Sequence, residues 1–302
     1  MIYQQSIIGC DSGFGNRLAY KLNQNGFRVY ATVLSATNEG SKQLVRSAVF
    51  EDKMHVLEMD VTNDDNVRQV YEKVRNDLNS NGDQLWAVVN NAGMFSFSHI
   101  EWGTIDKYKQ VFEVNVFGMV RVTRTFLSLI KESKGRIVNV VSLAGRFTFE
   151  NGGVYCMSKH SAIAFSDQLR REMHKFDIKV LTIEPGLFRT PMTSDSYMQN
   201  LVKQAWDQTD ESVRNSYGKS YFEKHLESVL DFHKNFKSGS NTEIVINDII
   251  DALQNTDPNI TYRPIEGLQS KILSLIPMFI PSEWLDQIIY SRDKLKPEGI
   301  HK

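Results

Sequence analysis

The sequence predicts an α/β protein with a doubly wound parallel sheet, helices on both faces and a mostly helical C-terminal extension. Three observations predict this fold. Roughly the first 190 residues alternate apolar runs with amphipathic stretches, which is typical of repeated βα units. A glycine-rich turn follows the first of these runs. After Pro191 the pattern changes to helical periodicity with many aromatic residues.

Buried strands are expected where the sequence is continuously apolar, because helices cover both faces of such a sheet. These runs are residues 29–34, 55–59, 85–89, 136–141 and 180–183, with residues 260–262 as a candidate edge strand. The first strand is an exception, since Tyr-Gln-Gln-Ser at residues 3–6 precedes Ile7 and Ile8. This polar start predicts either a weak strand or a natural chain that begins further upstream.

Helices are expected between the strands, where apolar residues recur every three or four positions. Leu18 and Leu22 mark one helix that ends near Gly26, and apolar residues at 67, 70, 74 and 78 mark another. Two long helices are predicted over residues 111–130 and 153–176. Residues from about 195 to 257 are also predicted to be mostly helical.

The aromatic residues of the extension have two interpretations, as part of the core or as a wall of a hydrophobic pocket. They are Trp206, Tyr217, Tyr221, Phe222, Phe232 and Phe236. The apolar stretch at residues 272–280 also has two: a buried segment, or an exposed lip that contacts a membrane or a lipophilic substrate. It is too short for a spanning helix, which needs roughly 20 apolar residues.

Composition excludes several classes of function. A net charge of -1, with acidic and basic residues interleaved, argues against nucleic-acid binding. The two cysteines, Cys10 and Cys156, indicate no disulfide framework and a reducing compartment. The histidines are scattered, so no metal site is predicted. Without a linker or an internal repeat, residues 1–302 are expected to form one domain.

Two loops rich in small residues follow predicted strands. Residues 9–15, Gly-Cys-Asp-Ser-Gly-Phe-Gly, open the first helix, where backbone N–H groups favour a pyrophosphate. The same loop fits a plain strand-to-helix turn equally well. Residues 90–93, Asn-Asn-Ala-Gly, end the fourth strand. Because ligands bind at the carboxyl ends of the strands in such sheets, both loops are expected to meet at one crevice.

Tyr155 and Lys159 lie four residues apart on a predicted helix, so the phenol and the ammonium share one face. A phenol has a pKa of about 10, and a neighbouring ammonium favours the phenolate that a general base requires. Such a pair also arises by chance. Its context decides the matter: Ser142 ends the fifth strand, Pro185 and Gly186 end the sixth, and all fall at strand ends in the expected order.

The chain resembles the short-chain dehydrogenase/reductase family, and more narrowly its branch of retinol, 17β- and 3α-hydroxysteroid and, more distantly, D-β-hydroxybutyrate dehydrogenases. The matching phrases are Gly9-Cys-Asp-Ser-Gly-Phe-Gly15, Asp60-Val-Thr62, Leu85-Trp-Ala-Val-Val-Asn-Asn-Ala-Gly93, Gly135-Arg-Ile-Val-Asn-Val140, Phe165-Ser-Asp-Gln-Leu-Arg-Arg171 and Glu184-Pro-Gly-Leu-Phe-Arg-Thr190. The resemblance implies a Rossmann-type fold. It also implies a dinucleotide-binding and catalytic core at residues 1–192 and a substrate-binding extension at residues 193–302.

The resemblance implies a role for each matching residue. Tyr155 is the catalytic acid/base, and Lys159 lowers its pKa and holds the nicotinamide ribose. Ser142 orients the substrate oxygen, Asn115 fixes a proton-relay water, and Asp60 lies beside the adenine. The implied cofactor-binding residues are Gly9, Asp11, Ser12, Gly13, Phe14, Gly15, Asp60, Val61, Asn90, Ala92, Gly93, Tyr155, Lys159, Pro185, Gly186 and Thr190.

Three departures from the family pattern bear on cofactor and membrane binding. Ile8 replaces a threonine that braces the glycine loop, and Val141 replaces the first of two serines. Relatives of this branch usually carry an apolar N-terminal anchor, whereas this chain begins almost at its first strand. The end of the second strand carries no charge, and neither Ser12 nor Val33 is basic, so NAD is favoured over NADP.

The favoured hypothesis is a dehydrogenase of a lipophilic secondary or allylic alcohol, such as a hydroxysteroid or retinol. The first alternative is a dehydrogenase of a small hydroxy acid, with Arg189 or Lys203 as the cationic anchor. The second is a non-catalytic dinucleotide-binding protein of the same fold. The resemblance implies a homodimer or homotetramer, and either a cytoplasmic location or peripheral contact with the endoplasmic reticulum membrane.

Overall fold

The computed structural model describes residues 3–235, 239–292 and 297. Its strands are β1 Tyr3–Ile8, β2 Arg28–Val33, β3 Met54–Glu58, β4 Gln84–Asn90, β5 Arg136–Val140, β6 Lys179–Ile183 and β7 Thr261–Tyr262. Within this part of the chain they form one parallel sheet in the order β3-β2-β1-β4-β5-β6-β7. The predicted doubly wound parallel sheet is therefore confirmed. The strand order reverses between β1 and β4, and such a point opens a ligand crevice.

Helices cover both faces of the sheet, as expected for repeated βα units. They are α1 Gly13–Gln24, α2 Glu39–Ser47, α3 Asp64–Asn81, α4 Ile105–Phe112, α5 Met119–Ser133, α6 Gly153–Met173, α7 Asp195–Asp207, α8 Glu211–Tyr217, α9 Lys219–Asn235, α10 Glu243–Gln254, α11 Leu268–Leu275 and α12 Ser282–Arg292. One core layer contains Leu18 of α1 and Ile249 of α10. The layer on the other face contains Val70 of α3 and Phe126 of α5.

The polar strand β1 is fully formed at the centre of the sheet, between β2 and β4. Gln4, Gln5 and Ser6 are all buried. Gln4 donates to Asp83 at 2.5 Å, whereas neither amide atom of Gln5 has a hydrogen-bond partner in the described structure. Central pairing on both sides compensates for the polar sequence, but the side chains of this strand remain costly to bury.

The helix predicted over residues 111–130 is present, but the expectation of one regular α-helix is wrong. Helix α4 ends at Phe112, a π-helical turn spans Glu113–Gly118, and α5 continues from Met119. Apolar periodicity cannot show a single wide turn inside a helix, which explains the error. Gly118 lies against Val61, where a Cβ atom would approach the Val61 Cγ2 to 2.7 Å. The wide turn thus packs directly beneath the loop that follows β3.

The C-terminal segment is largely exposed, so the buried interpretation of residues 272–280 is wrong. Ile272, Ile276 and Phe279 are all exposed, and Phe279 retains 81% of its accessible surface. Helix α11 and the 3₁₀ turn Ile276–Met278 carry these residues. Among the described helices, none has both the length and the apolar content needed to cross a membrane.

Candidate active site

A cavity of about 1360 Å³ opens at the carboxyl ends of the strands. Its wall runs from the glycine loop, past the ends of β4, β5 and β6, to α9 and the segment that joins α11 to α12. Every predicted site residue lines it except three: Gly15, Asn90 and Asn115. The structure therefore brings together the residues that the sequence scatters over nearly 200 positions, because parallel strands end at one edge of the sheet.

The glycine loop is shaped by contacts that no larger residue would tolerate. Gly9 has a φ of +80° and Gly13 a φ of +61°, both in the left-handed region. A Cβ atom on Gly9 would lie 2.7 Å from the Ala92 Cα, so the two small-residue loops touch as expected. Ser12 precedes α1 without capping it through its side chain. The helix N-terminus thus faces the cavity with N–H groups suited to a pyrophosphate.

Two amide side chains brace the glycine loop where Ile8 lacks the expected hydroxyl. Asn16 donates its Nδ2 to the Cys10 carbonyl at 3.0 Å, and Asn91 donates its Nδ2 to the Gly9 carbonyl at 2.8 Å. Asn91 lines the cavity and was missed by the sequence analysis, which chose Asn90. Both bonds hold main-chain carbonyls of the glycine loop in place.

The side chain of Asn90 lies in the core instead of the cavity. Its Nδ2 donates to Thr123 Oγ1 at 2.9 Å and to Asn139 Oδ1 at 2.8 Å. Asn139 in turn donates to Ser166 Oγ at 2.8 Å. This network ties β4, β5, α5 and α6 together beneath the catalytic edge. The strand alternation explains the difference, because neighbouring residues at a strand end face opposite sides.

Tyr155 and Lys159 lie on the first turns of α6 beside Ser142. The Lys159 Nζ lies 5.6 Å from the centre of the Tyr155 ring and donates to the Val140 carbonyl at 3.4 Å. Ser142 accepts the Ala144 N–H at 3.1 Å and also hydrogen-bonds the phenol. The serine therefore caps a 3₁₀ turn and faces the reactive tyrosine at the same time.

Burial dominates the pKa values of both members of this pair. Burial raises the pKa of Tyr155 to about 12, opposed by the hydrogen bond from Ser142. Burial also lowers the pKa of Lys159 to about 8. The sequence analysis expected the ammonium to lower the phenol pKa. Desolvation is larger here because both groups are enclosed, which a spacing of four residues does not reveal.

The Asn115 side chain does not line the cavity but bonds residues that do and residues beside them. Its Oδ1 accepts the Met94 N–H at 2.8 Å, and its Nδ2 donates to the Met94 carbonyl at 3.0 Å and to Ser158 Oγ at 3.0 Å. Ser158 then donates to the Tyr155 carbonyl at 2.7 Å. The π-helical turn thus holds both the loop after β4 and the catalytic turn of α6. Ser158 is a second residue that sequence reasoning missed.

Glu184, next to Pro185, is fully buried between two cations. Its carboxylate accepts bonds from Arg146 and from the Arg263 Nε, the latter at 3.0 Å. Arg146 ends the turn that starts at Ser142, and Arg263 follows β7. The ion cluster therefore fixes the Ser142 turn to the end of β6, where Leu143 also donates to the Pro185 carbonyl at 3.0 Å.

The distal wall of the cavity is apolar, but its aromatic residues are not the predicted ones. Phe95, Phe97 and Phe149 line it near Tyr155, with the Phe95 and Tyr155 ring centres 4.6 Å apart. Trp206 and Phe222 instead stack in a core cluster around Trp102, outside the cavity lining. Tyr217 and Tyr221 pack in the same cluster, which favours the core interpretation for these four. The Phe232 side chain and Phe236 lie outside the described residues.

The opposite end of the cavity is formed by Asp60 and its neighbours. Asp60 Oδ1 accepts the Thr62 N–H at 2.8 Å and the Thr62 hydroxyl at 2.7 Å, which turns the chain so that Val61 lines the cavity. Thr190 closes the far side, its N–H donating to Thr193 Oγ1 at 3.0 Å. The cleft is long, and the N-terminus of α1, which is suited to bind a pyrophosphate, lies along it. This arrangement fits a dinucleotide.

A cleft of this kind at the switch point of a parallel sheet, with a phenol and an amine enclosed beside it, defines a dinucleotide-dependent oxidoreductase. The sequence matches the short chain dehydrogenase family over residues 6–200. Retinol dehydrogenase 16 of Rattus norvegicus is 36% identical over 94% of this chain and 86% of its own length. The chain belongs to the short-chain dehydrogenase family, in the branch of retinol and hydroxysteroid dehydrogenases. It is a nicotinamide-dependent enzyme that acts on CH–OH groups.

Other relatives extend the comparison. The 17-beta-hydroxysteroid dehydrogenase type 6 of Rattus norvegicus is 36% identical, over 94% of this chain and 86% of its own. The mitochondrial D-beta-hydroxybutyrate dehydrogenase of the same organism is 37% identical over 86% of this chain and 76% of its own. Among solved structures, a short-chain dehydrogenase from Streptomyces avermitilis superposes with a TM-score of 0.70 at 23% identity, covering 96% of this chain and 95% of its own. That similarity supports the fold alone.

Proposed function

We propose that this enzyme interconverts a lipophilic secondary or allylic alcohol, of the hydroxysteroid or retinol type, with its ketone or aldehyde, using NAD. The observation that carries this proposal is the apolar wall that faces Tyr155 in a cavity of about 1360 Å³. The 36% sequence identity to a retinol dehydrogenase and to a 17-beta-hydroxysteroid dehydrogenase supports it. In this proposal residues 1–192 bind the dinucleotide and carry the catalytic groups, and residues 193–302 complete the substrate side.

The proposed roles follow from the contacts of each side chain. The Tyr155 phenol exchanges a proton with the substrate oxygen, which Ser142 orients through its hydroxyl. Lys159 holds the ribose and supplies positive charge that offsets the high phenol pKa. Asn115 fixes the main chain at Met94 and, through Ser158, the turn that carries Tyr155. The nicotinamide, when bound, accepts or donates the hydride.

A small hydroxy acid is the second candidate, supported by the D-beta-hydroxybutyrate dehydrogenase relative. Such a substrate needs a cation for its carboxylate, since a buried unpaired charge is costly. Among the described residues that line the cavity, Lys159 is the only lysine or arginine, and neither Arg189 nor Lys203 lines it. His225 lines the substrate side and is the group that this alternative would have to use. The lining therefore favours the lipophilic class.

We also infer that the enzyme contacts a phospholipid bilayer through residues 268–290, which comprise α11, the following 3₁₀ turn and most of α12. Leu268, Phe279, Trp284 and Tyr290 are all at least two-thirds exposed on this segment. Tryptophan and tyrosine favour the membrane interface. The same segment supplies Ser274, Pro277 and Leu285 to the cavity wall, which would open the cavity toward lipid-dissolved substrate.

Vesicle co-sedimentation with phosphatidylcholine liposomes tests the membrane contact. The double variant Phe279→Ser, Trp284→Ser is expected to lose binding, while Ile105→Ser, equally exposed on α4, is expected to retain it. Light scattering on the same proteins reports the homodimer or homotetramer that the family suggests. A change of oligomeric state in the double variant, without loss of vesicle binding, would assign the segment to a subunit interface and refute the membrane contact.

Absorbance of the reduced nicotinamide tests the proposed activity. We expect turnover with NAD and a 3-hydroxysteroid, a 17-hydroxysteroid or retinol, and a loss on the order of 10²- to 10⁴-fold in Tyr155→Phe. Tyr197→Phe is the matched control, because Tyr197 is half-buried on α7 and does not line the cavity. Activity confined to hydroxy acids would refute the lipophilic substrate. Dinucleotide binding without any turnover would favour the non-catalytic alternative.

A further inference from the structure

The end of β2 lacks the acidic residue that usually accepts the adenosine ribose hydroxyls in NAD-binding sheets. Val33 ends the strand and Leu34 follows it, exposed at the cavity wall. Neither side chain can accept a hydrogen bond. The side chains at this position therefore neither accept a ribose hydroxyl nor pair with a 2′-phosphate.

A carboxylate nevertheless reaches this position from another element. Asp11, in the glycine loop, accepts the Leu34 N–H with both oxygens, at 2.9 Å for Oδ1 and 3.0 Å for Oδ2. Asn38 also donates its Nδ2 to Oδ1 at 2.7 Å. Asp11 and Leu34 both line the cavity. The carboxylate is thus held against the end of β2, with Oδ2 receiving one bond fewer than Oδ1.

Backbone packing fixes Asp11 in this place. A Cβ atom on Gly40 would lie 1.9 Å from the Asp11 carbonyl oxygen, so α2 packs directly on the loop. The Asn16 Nδ2 bridges the Cys10 and Gly40 carbonyls at 3.0 and 3.1 Å. Because the glycine loop, the end of β2 and the start of α2 are locked together, the carboxylate does not need to reorganise when a ligand arrives.

We infer that Asp11 is the residue that makes the enzyme select NAD over NADP. The inference rests on the proposed function, since it assumes a dinucleotide in this cleft. The Asp11 carboxylate accepts a ribose hydroxyl and repels a 2′-phosphate. Lys159, the only lysine or arginine among the described lining residues, stands at the Tyr155 end and does not offset that repulsion.

Glu58 provides a matched control on the same turn. It is exposed at the end of β3 and accepts the Ala36 N–H at 2.8 Å, yet it does not line the cavity. Asp11→Asn keeps the shape of the side chain and an acceptor for Leu34 while removing the charge. Glu58→Gln removes one charge from the same region without touching the cleft.

Fluorescence titration of NADH and NADPH, without any substrate, measures the ratio of the two dissociation constants for each protein. In Asp11→Asn we expect the preference for NADH to fall by about 10- to 100-fold, the worth of one charge-assisted hydrogen bond. Glu58→Gln is expected to keep the wild-type ratio. Equal ratios in wild type and Asp11→Asn, with unchanged thermal unfolding, overturn the inference alone. A wild type that binds neither dinucleotide overturns the proposed function as well.

Discussion

Replacing Lys159 with methionine should stabilise the protein at neutral pH. The amine is buried, and burial lowers its pKa from 10.5 to about 8. That difference between the folded and unfolded states corresponds to about 3 kcal/mol of destabilisation while the amine is charged. Methionine keeps most of the length and apolar volume, and the lost bond to the Val140 carbonyl is long, at 3.4 Å. We expect a net gain of about 2–3 kcal/mol in unfolding free energy at pH 7.

The gain should depend on pH in a defined direction. Below pH 8 the amine is protonated in both states, so the full penalty is present in the wild type. Between pH 8 and 10.5 the unfolded chain holds the proton that the folded chain has released, so wild-type stability rises toward that of the variant. Urea denaturation at pH 7, 8, 9 and 10, followed by circular dichroism, measures the difference at each pH.

Lys134→Met is the control for this experiment. Lys134 is exposed, and its hydrogen bond to Asp177 raises the pKa of the amine, so its removal should give no gain at any pH. A gain for Lys159→Met that stays constant from pH 7 to 10 would show that repacking, and not charge burial, is responsible. No gain at all would mean that the folded protein solvates the ammonium well.

Three further predictions concern residues outside the reacting pair. Gln5→Met should raise the unfolding free energy by about 1–3 kcal/mol, because neither amide atom of Gln5 has a partner among the described residues. Gln4→Met should give no such gain, since it removes the bond to Asp83, and urea midpoints compare the two variants. Glu184→Gln should cost about 2–3 kcal/mol by leaving Arg146 and Arg263 without their shared carboxylate, and should lower kcat by loosening the Ser142 turn. Ser158→Ala should lower kcat more than it changes KM, with Ser161→Ala, partly exposed on the same helix, as the kinetic control.

The sequence predicts the sheet well because a strand covered on both faces must be apolar, and β2, β4, β5 and β6 meet that condition. The edge strand β3 is also predicted, although only Met54 of its residues is buried. Most of the site residues that the sequence predicts do line the cavity, since parallel strands deliver their C-terminal loops to one edge. Strand β1 is the exception, because it is polar and yet lies at the centre of the sheet. Its polar side chains are held by pairing with β2 and β4, and such pairing is a property of the whole sheet.

What the sequence could not predict depends on distances between elements. The choice between Asn90 and Asn91 turns on which face of β4 each side chain occupies, and a run of two asparagines gives no preference. The pKa of Tyr155 depends on how completely the fold encloses the phenol. The carboxylate of Asp11 meets the end of β2 across 23 residues of sequence, so no local pattern marks it.

These omissions share one physical feature. Asn91, Ser158 and Glu184 stand inside or beside the matched phrases, but each braces the site through a contact with a distant part of the chain, which the sequence alone does not show. A catalytic phenol must stay within hydrogen-bond reach of its substrate, and a small misplacement costs much of the rate. A variant that kept Tyr155, Lys159, Ser142 and Asn115 but lost the Glu184 carboxylate would therefore keep the catalytic groups and lose the ion pairs that fix the Ser142 turn. In this enzyme we therefore expect the loss of a bracing residue to lower activity even where the catalytic residues are intact.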